Sequence, residues 1–188
     1  MTKPYLEMGN DSSKKANSQA QSQNQTSSHE RSIDGVRRIL LVHNSSTNEE
    51  LQSVKNFRDA LVQAAPGSIK IDKLVNIAEK SENFQGVTWL EKLNNVILIR
   101  LSTEHVQKIA DTLRKNNLVD ENDHLHGKVM GISFGKELPA GWPPSGSNRR
   151  EQDQRDFVFG LEDENNAKAK DFTGAKLNSL VAAIMATN

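Results

Sequence analysis

The sequence predicts an α/β fold in which a mainly parallel sheet lies between two layers of helices. Short runs of β-branched and aliphatic residues alternate along the chain with segments whose apolar residues recur at helical spacing. The most apolar run, residues 96–101, has the composition of a central parallel strand that is covered on both faces. We therefore expect the strands to form the middle one of three layers.

The 188 residues divide into two regions of different composition. Residues 9–32 contain no Val, Ile, Leu, Met, Phe, Trp or Tyr and are rich in Ser, Asn and Gln. Such a segment cannot bury enough apolar surface to offset the entropy lost on ordering. We therefore predict a disordered leader over residues 1–35 and a single α/β domain over residues 36–188.

The first half of the domain predicts two strands and a helix. Residues 37–42 form an apolar run, which a polar loop follows, and residues 69–75 form a second, less regular run. Between them lies a helix that ends at Pro66. Ser46 and Thr47 are each followed three residues later by a glutamate, which is the spacing of a capping box. Residues 76–85 have no clear period and are predicted to be mostly loop.

The second half continues the alternation. We predict a short helix that Thr88 caps, the central strand, a helix that Ser102 and Thr103 open, a strand at residues 128–134, a short strand at residues 157–161 and a final amphipathic helix at residues 177–184. This order of elements predicts a flavodoxin-like three-layer arrangement.

Composition excludes several classes of function. The chain has no cysteine, so disulfides, thiolate metal sites and thiol nucleophiles are impossible. Its 24 basic residues balance 24 acidic ones, which argues against nucleic acid as a partner. No apolar run approaches the length of a membrane span, so we expect no membrane insertion and a cytoplasmic location.

Ligands of open parallel sheets usually bind at the loops that follow the strands. The predicted loops are residues 43–48, 74–86, 102–104 and 135–150. The first contains no glycine and matches no phosphate-binding motif, although a Ser/Thr-rich loop before a helix could hold one phosphate. Helix capping explains Ser46 and Thr47 without a ligand, so we expect no cofactor here.

Histidines and tryptophans are the other candidate site residues. His124 and His126 lie among acidic residues and could hold a divalent ion, but no third ligand is identifiable, so we expect no metal site. His43 follows the first strand, yet spacing assigns it no Ser, Asp or Glu partner for a triad. Trp89, on a short helix, is expected to pack against the core, with an exposed anchor for a partner as the alternative. Trp142 is expected to lie in a packed irregular loop, with a proline-containing ligand for an aromatic groove as the alternative.

Short charged segments of opposite sign lie near the C-terminus. Arg149 and Arg150 form a basic pair, and residues 162–164 form an acidic run. We interpret both as solvated faces. Opposite charges on one domain are also what a self-associating module needs, because complementary charge orients docking.

Three stretches of the chain resemble the SEFIR domains of interleukin-17 receptors and their adaptor and, more distantly, TIR domains. Residues 38–45 (RILLVHNS) are similar to the family's first box. Residues 89–102 (WLEKLNNVILIRLS) are similar to its Trp-containing helix and apolar strand. Residues 128–134 (KVMGISF), with Leu138 and Pro139 after them, are similar to its late strand and loop.

The resemblance implies a cytosolic module for protein–protein interaction in receptor and adaptor signalling of the innate immune type. Its partners would be like domains or a second copy of the chain. The contact elements would be the loop at residues 74–86 and the short helix that follows, and the contact residues would be Trp89, Glu91, Lys92, Asn83 and Phe84.

Some TIR domains cleave NAD with a glutamate near the helix that precedes the central strand. Glu79, Glu82 and Glu91 lie in that region, although spacing singles out none of them. The resemblance therefore leaves an NAD glycohydrolase as an enzyme alternative, and the fold class leaves a nucleotide- or phosphate-binding domain as another. We expect an interaction module rather than an enzyme.

Overall fold

A computed structural model describes residues 35–79, 85–121, 124–143 and 155–187. These residues belong to one compact unit, Asp34–Asn188. The leader predicted at residues 1–35 lies outside the described residues except for its last position. Arg149 and Arg150, the predicted basic pair, lie outside them as well.

Strands and helices alternate along the unit, as the apolar runs predict. Within the described residues the elements are β1 (Arg37–His43), α1 (Asn48–Ala64), β2 (Ile69–Asn76), α2 (Gly86–Leu90), β3 (Asn95–Leu101), α3 (Val106–Lys115), β4 (Val129–Ser133), β5 (Asp156–Val158), a 3-10 helix (Ala169–Asp171) and α4 (Gly174–Ala186). The strands form one sheet in the order β2-β1-β3-β4-β5, and every pairing is parallel. The predicted flavodoxin-like α/β fold is confirmed.

Helices cover both faces of the sheet. One face packs against α1 and α4 through a core that includes Phe57, Leu61, Leu98, Leu180 and Ile184. The other face packs against α2 and α3 through Leu40, Leu90, Ile97, Ile109 and Leu113. Every residue of β3 is buried, as expected for the central strand of a covered parallel sheet.

The two edge strands are irregular or short. In β2 the register with β1 shifts between Ile39 and Leu40, which leaves Asp72 as an extra residue in a bulge. Asp72 forms ion pairs with Arg38 at 3.0 Å and with Lys70 at 3.2 Å. At the opposite edge β5 contributes only the short segment Asp156–Val158, which begins one residue before the predicted strand.

The start of α1 confirms one predicted capping box. The Thr47 hydroxyl accepts a hydrogen bond from the Glu50 N–H at 3.2 Å, and the Glu50 carboxylate accepts one from the Thr47 N–H at 3.1 Å. Thr47, and not Ser46, is therefore the N-cap of α1.

The other two predicted helix starts are wrong. The helix α2 begins before Thr88, because the Gln85 carbonyl already accepts from the Trp89 N–H at 2.9 Å. The helix α3 begins only at Val106, since the chain first makes a turn in which the His105 N–H donates to the Ser102 carbonyl. The start of α2 therefore depends on how the chain enters β3, and the start of α3 depends on how the chain leaves it. Neither start is determined by the polar residues Thr88, Ser102 and Thr103.

Candidate functional site

The loops after β1 and β3 meet at the point where the strand order reverses. These two strands are neighbours, and the helices that follow them, α1 and α3, pack on opposite faces of the sheet. Loops that leave a sheet in opposite directions open a crevice at the carboxyl ends of the strands. The polar residues of this crevice are therefore the first candidates for a site.

A buried ion pair lies beside this crevice. The Arg100 side chain on β3 is 1% exposed, and its Nη1 lies 3.7 Å from Oε1 of Glu50 at the start of α1. Its Nη2 donates to Asn165 Oδ1 at 2.9 Å, and its Cζ lies 5.4 Å from the ring centroid of Phe134. Burial lowers the pKa of Arg100, while the charges of Glu164 and Glu50 oppose that shift. A guanidinium keeps its charge in such a setting.

Glu50 is held by the backbone as well as by Arg100. Its Oε2 accepts from the Ser46 N–H at 2.6 Å and from the Thr47 N–H at 3.1 Å. Burial alone would raise the pKa of Glu50, but these hydrogen bonds and the charge of Arg100 outweigh burial and lower it. The N–H groups that could bind a phosphate at this helix start therefore already bind a carboxylate.

His43 and Ser45 form a second buried pair in the same loop. Nδ1 of His43 lies 2.9 Å from Oγ of Ser45, and both residues are buried. Burial, with a further contribution from the charge of Arg100, lowers the pKa of His43 to about 4. An imidazole with this pKa is a weak general base at neutral pH, so the pair is poorly suited to activate a serine nucleophile. We interpret the pair as structural.

The sequence reasoning missed the pairing of Arg100 with Glu50. The available signal was a charged residue inside the most apolar run of the chain, because a charge at a fully buried strand position needs a partner. Some buried polar atoms of the crevice have no hydrogen-bond partner, namely Oδ1 of Asn44 and Nε and Nη1 of Arg100. Three carboxylates, Glu50, Glu164 and Glu104, act on Arg100, so the crevice does not favour a further anion.

A second candidate site lies on the other side of β3, around α2. Trp89 is half-buried, and its Nε1 donates to the Val96 carbonyl at 3.2 Å. Nδ2 of Asn95 donates to the Trp89 carbonyl at 2.7 Å. These two bonds fix the short helix to the central strand, and the expected packing of Trp89 against the core is confirmed.

A shallow groove of about 370 Å³ borders α2. Its lining residues are Leu40, Lys73, Gln85, Thr88, Trp89, Lys92 and Asn95. Two lysines therefore flank a groove that contains an indole ring and a leucine. Such a combination suits an apolar side chain with acidic neighbours.

Apolar residues are also exposed around this helix. Among the described residues the large apolar side chains at the surface are Val87 (37% exposed), Leu93 (70%) and Met185 (36%). Val87 and Leu93 lie on either side of Trp89 in sequence. The structure thus brings the predicted contact residues Trp89 and Lys92 together at the groove with Glu91 exposed beside them. Asn83 and Phe84, the other predicted contacts, lie outside the described residues.

The glutamates of the enzyme alternative are not gathered into a site. Glu79 is exposed and accepts from Nδ2 of Asn76 at 3.3 Å, and Glu91 is exposed in the turn after α2. Neither residue lines the groove. Glu82 lies outside the described residues.

The remaining candidates have local structural roles. His124 lies 3.3 Å from Asp120, and Nδ1 of His126 accepts from the Lys128 N–H at 3.1 Å. Within the described ranges no three His, Cys, Asp or Glu residues are placed to hold a metal ion. Trp142 is 8% exposed and packs in the core on the α3 face, which confirms the predicted packed loop. Within the same ranges no helix is long and apolar enough to cross a membrane.

Comparisons of this chain with family models, curated proteins and solved structures gave no match. The resemblance to SEFIR and TIR domains is therefore still a prediction.

Proposed function

We propose that the domain is a protein–protein interaction module that associates with a like domain through α2 and the turn after it. The observation that carries the proposal is the exposure of Leu93. This side chain is 70% exposed and directly follows Lys92, which lines the groove together with the half-buried Trp89. A large apolar side chain exposed beside a groove with a polar rim is typical of interaction sites.

The geometry of α2 suits a contact that forms without rearrangement. The hydrogen bonds of Trp89 with Val96 and Asn95 hold the helix on the central strand. A preorganised anchor loses little conformational entropy when a partner binds. Tryptophan also contributes more binding energy at interfaces than most residues.

Charged residues around the groove would orient the partner. Lys73 and Lys92 line the groove, and Glu91 lies beside it in the turn after α2. Charges at the rim of an interface mainly affect the rate and orientation of association. A cytosolic role in receptor or adaptor signalling is the setting that the resemblance implies. We do not extend the proposal to NAD cleavage, because Glu79 and Glu91 are exposed and neither lines the groove.

Sedimentation velocity of the full chain over a range of concentrations tests the proposal. Leu93→Ser should weaken self-association about tenfold, which corresponds to about 1.4 kcal/mol. Glu91→Lys should change the rate of association more than its strength. Lys108→Ser, at an exposed position of α3 that does not line the groove, is the control and should behave like the wild type.

Two results would overturn the proposal. One is a wild-type chain that stays monomeric at concentrations near ~1 mM, where even a weak complex would form. The other is unchanged association of Leu93→Ser with an intact circular dichroism spectrum.

A further inference from the structure

Two grooves meet at the exposed face of α2. The groove of about 370 Å³ lies between α2 and the strands, and a second groove of about 260 Å³ lies between α2 and the end of α3. Gln85 and Thr88 line both grooves, and the second is otherwise lined by Gly86, Val87, Lys115, Asn116 and Asn117. The two grooves therefore form one continuous depression, which we call the α2 groove. Because it crosses a helix, its length is about 10 Å or more, which about three residues of an extended segment span.

The α2 groove contains a buried hydrogen-bond acceptor without a donor. Asn95 is 1% exposed, and it lines the groove. Its Nδ2 donates to the Trp89 carbonyl at 2.7 Å, and because a carbonyl can only accept, this bond fixes which atom of the amide is the oxygen. Oδ1 of Asn95 has no hydrogen-bond partner within the described residues. A buried acceptor without a donor costs free energy, so a ligand that brings an N–H group to this oxygen is favoured.

Apolar and basic side chains line the groove around this acceptor. The half-buried Trp89 and the side chain of Leu40 border the same part of the groove as Asn95. Lys92 is close to Asn95, since the Asn95 N–H donates to the Lys92 carbonyl at 3.1 Å. Lys92 lines one half of the groove and Lys115 the other, both at exposed positions, and neither forms an ion pair within the described part of the chain.

Among the described residues, acidic side chains do not line the α2 groove. Glu91 precedes Lys92 in sequence but is not part of the lining. Asp111, one turn before Lys115 on α3, lies 3.7 Å from Arg114. Lys73 also lines the groove, but it already has an interaction partner. The groove therefore favours a ligand whose negative charge lies near Lys92 and Lys115.

We infer that the α2 groove binds an extended peptide segment in which acidic residues flank one large apolar residue. A backbone N–H of the segment donates to Oδ1 of Asn95. The apolar side chain packs on Trp89 and Leu40, and the carboxylates lie near the lysines of the groove. Backbone hydrogen bonds supply affinity in such complexes, and the side-chain contacts supply selectivity. The inference rests on the proposed function for the role of α2 as a contact, and it names the chemistry of the partner segment.

Fluorescence anisotropy of a labelled peptide, titrated with the full chain up to ~1 mM, tests the inference. The probe is the peptide Glu-Glu-Leu-Glu-Glu, labelled at its amino terminus and amidated at its carboxyl terminus. The same peptide with glutamine in place of every glutamate should bind about tenfold more weakly, because it has no charge for the lysines. Salt should weaken the binding of the acidic peptide more than that of the neutral one.

Peptides with a methyl group on one backbone nitrogen test the hydrogen bond to Asn95 without changing the protein. Such a peptide lacks the N–H donor at one position only. Methylation of the nitrogen that faces Oδ1 of Asn95 should weaken binding about tenfold, and methylation at the outer positions should weaken it less. Equal affinity of all the methylated peptides would overturn the assignment of Asn95.

Variants of the full chain locate the binding site. Thr88→Tyr places a large side chain at the exposed position that both halves of the groove share, so it should abolish peptide binding. Lys92→Met should weaken binding about threefold, as expected for one ion pair at a surface. Lys108→Met, at an exposed position of α3 that lines neither half, is the matched control for Lys92→Met and should match the wild type.

Three results would overturn the inference: no peptide binding up to ~1 mM protein, equal binding of the acidic and neutral peptides, or unchanged binding to Thr88→Tyr with an intact circular dichroism spectrum. If the full chain self-associates through Leu93 but binds no peptide, this inference fails and the proposed function stands. If the peptide binds in the groove while the wild type stays monomeric, the ligand class stands and association with a like copy fails.

Discussion

Nη1 of Arg100 and Oε1 of Glu50 lie 3.7 Å apart, with both side chains almost fully buried. Glu50→Gln would remove the negative charge that faces the buried guanidinium. We therefore expect a loss of about 3–5 kcal/mol in the free energy of unfolding. Arg100→Met should cost less, because Glu50 keeps its hydrogen bonds from Ser46 and Thr47. Urea titration of both variants at neutral pH measures the difference. Equal losses of stability in the two variants would show that the backbone hydrogen bonds of Glu50 do not compensate for the loss of Arg100.

The low pKa of His43 predicts a loss of stability in mild acid. In the folded protein this pKa falls from 6.5 to about 4, so below pH 6.5 the unfolded chain takes up a proton that the folded protein does not. Stability is therefore complete above that pH and falls as the pH falls towards 4. Between about pH 6.5 and about pH 5 we expect a loss of about 2 kcal/mol, at about 1.4 kcal/mol per pH unit.

Urea titrations of His43→Gln between about pH 6.5 and about pH 5 test whether His43 causes this loss of stability. The variant should be less stable than the wild type at neutral pH but should lose less stability on acidification. His126, whose pKa is also lowered, adds a slope of the same sign and should leave some pH dependence. An unchanged slope in His43→Gln would refute this account.

Gly131 on β4 is required by the close approach of three neighbours. A Cβ atom there would lie 2.5 Å from Oδ1 of Asp156, 2.8 Å from Cδ1 of Leu101 and 2.9 Å from Nε1 of Trp142. We expect Gly131→Ala to cost about 1–3 kcal/mol through overpacking. Gly35→Ala, where nothing lies within 4 Å, is the matched control. Thermal unfolding of both variants checks the prediction, which fails if they melt at the same temperature.

Thr47 and Thr88 have the same capping-box spacing but different roles. Thr47 caps α1, whereas α2 begins before Thr88. Thr47→Ala should therefore cost about 1 kcal/mol, and Thr88→Ala should stay within about 0.5 kcal/mol of the wild type. Chemical denaturation compares the two. A similar loss for both would mean that the effect is not one of capping.

Substitutions of Leu93 and Leu98 should distinguish an exposed side chain that contacts a partner from a buried one that stabilises the fold. Leu93 is 70% exposed and Leu98 is fully buried in the core. Leu93→Ala should change the free energy of unfolding by less than about 0.5 kcal/mol, whereas Leu98→Ala should lower it by about 2–5 kcal/mol. Denaturant titration measures both values. A destabilised Leu93→Ala would give this side chain a structural role and weaken its assignment to a contact.

Local pattern predicts the elements of this fold well. The run at residues 96–101 becomes β3 because its short, β-branched and almost wholly apolar sequence suits a strand covered on both faces, and Thr47 caps α1 because its partner Glu50 lies within the same turn. These features depend on residues close in sequence. They can therefore be predicted without the tertiary structure.

Features that depend on distant residues escape such prediction. Arg100 and Glu50 meet only because β1 and β3 are neighbours in the sheet, and no spacing along the chain expresses that. The start of α2 depends on the docking of Trp89 onto Val96 rather than on Thr88. By contrast, the predicted contacts Trp89 and Lys92 do meet at one groove, because they share one short segment.

The bulge at Asp72 affects whether the edge strand β2 can pair with a strand of another molecule. A regular edge strand offers its unpaired backbone groups to any other strand, and such pairing leads to amyloid-like aggregation. In β2 the extra residue interrupts the hydrogen-bonding repeat, and the charges of Arg38, Lys70 and Asp72 border it. Backbone pairing along this edge is thereby disfavoured. A complex that forms by the proposed association should accordingly dissociate on dilution and should not convert to fibrils.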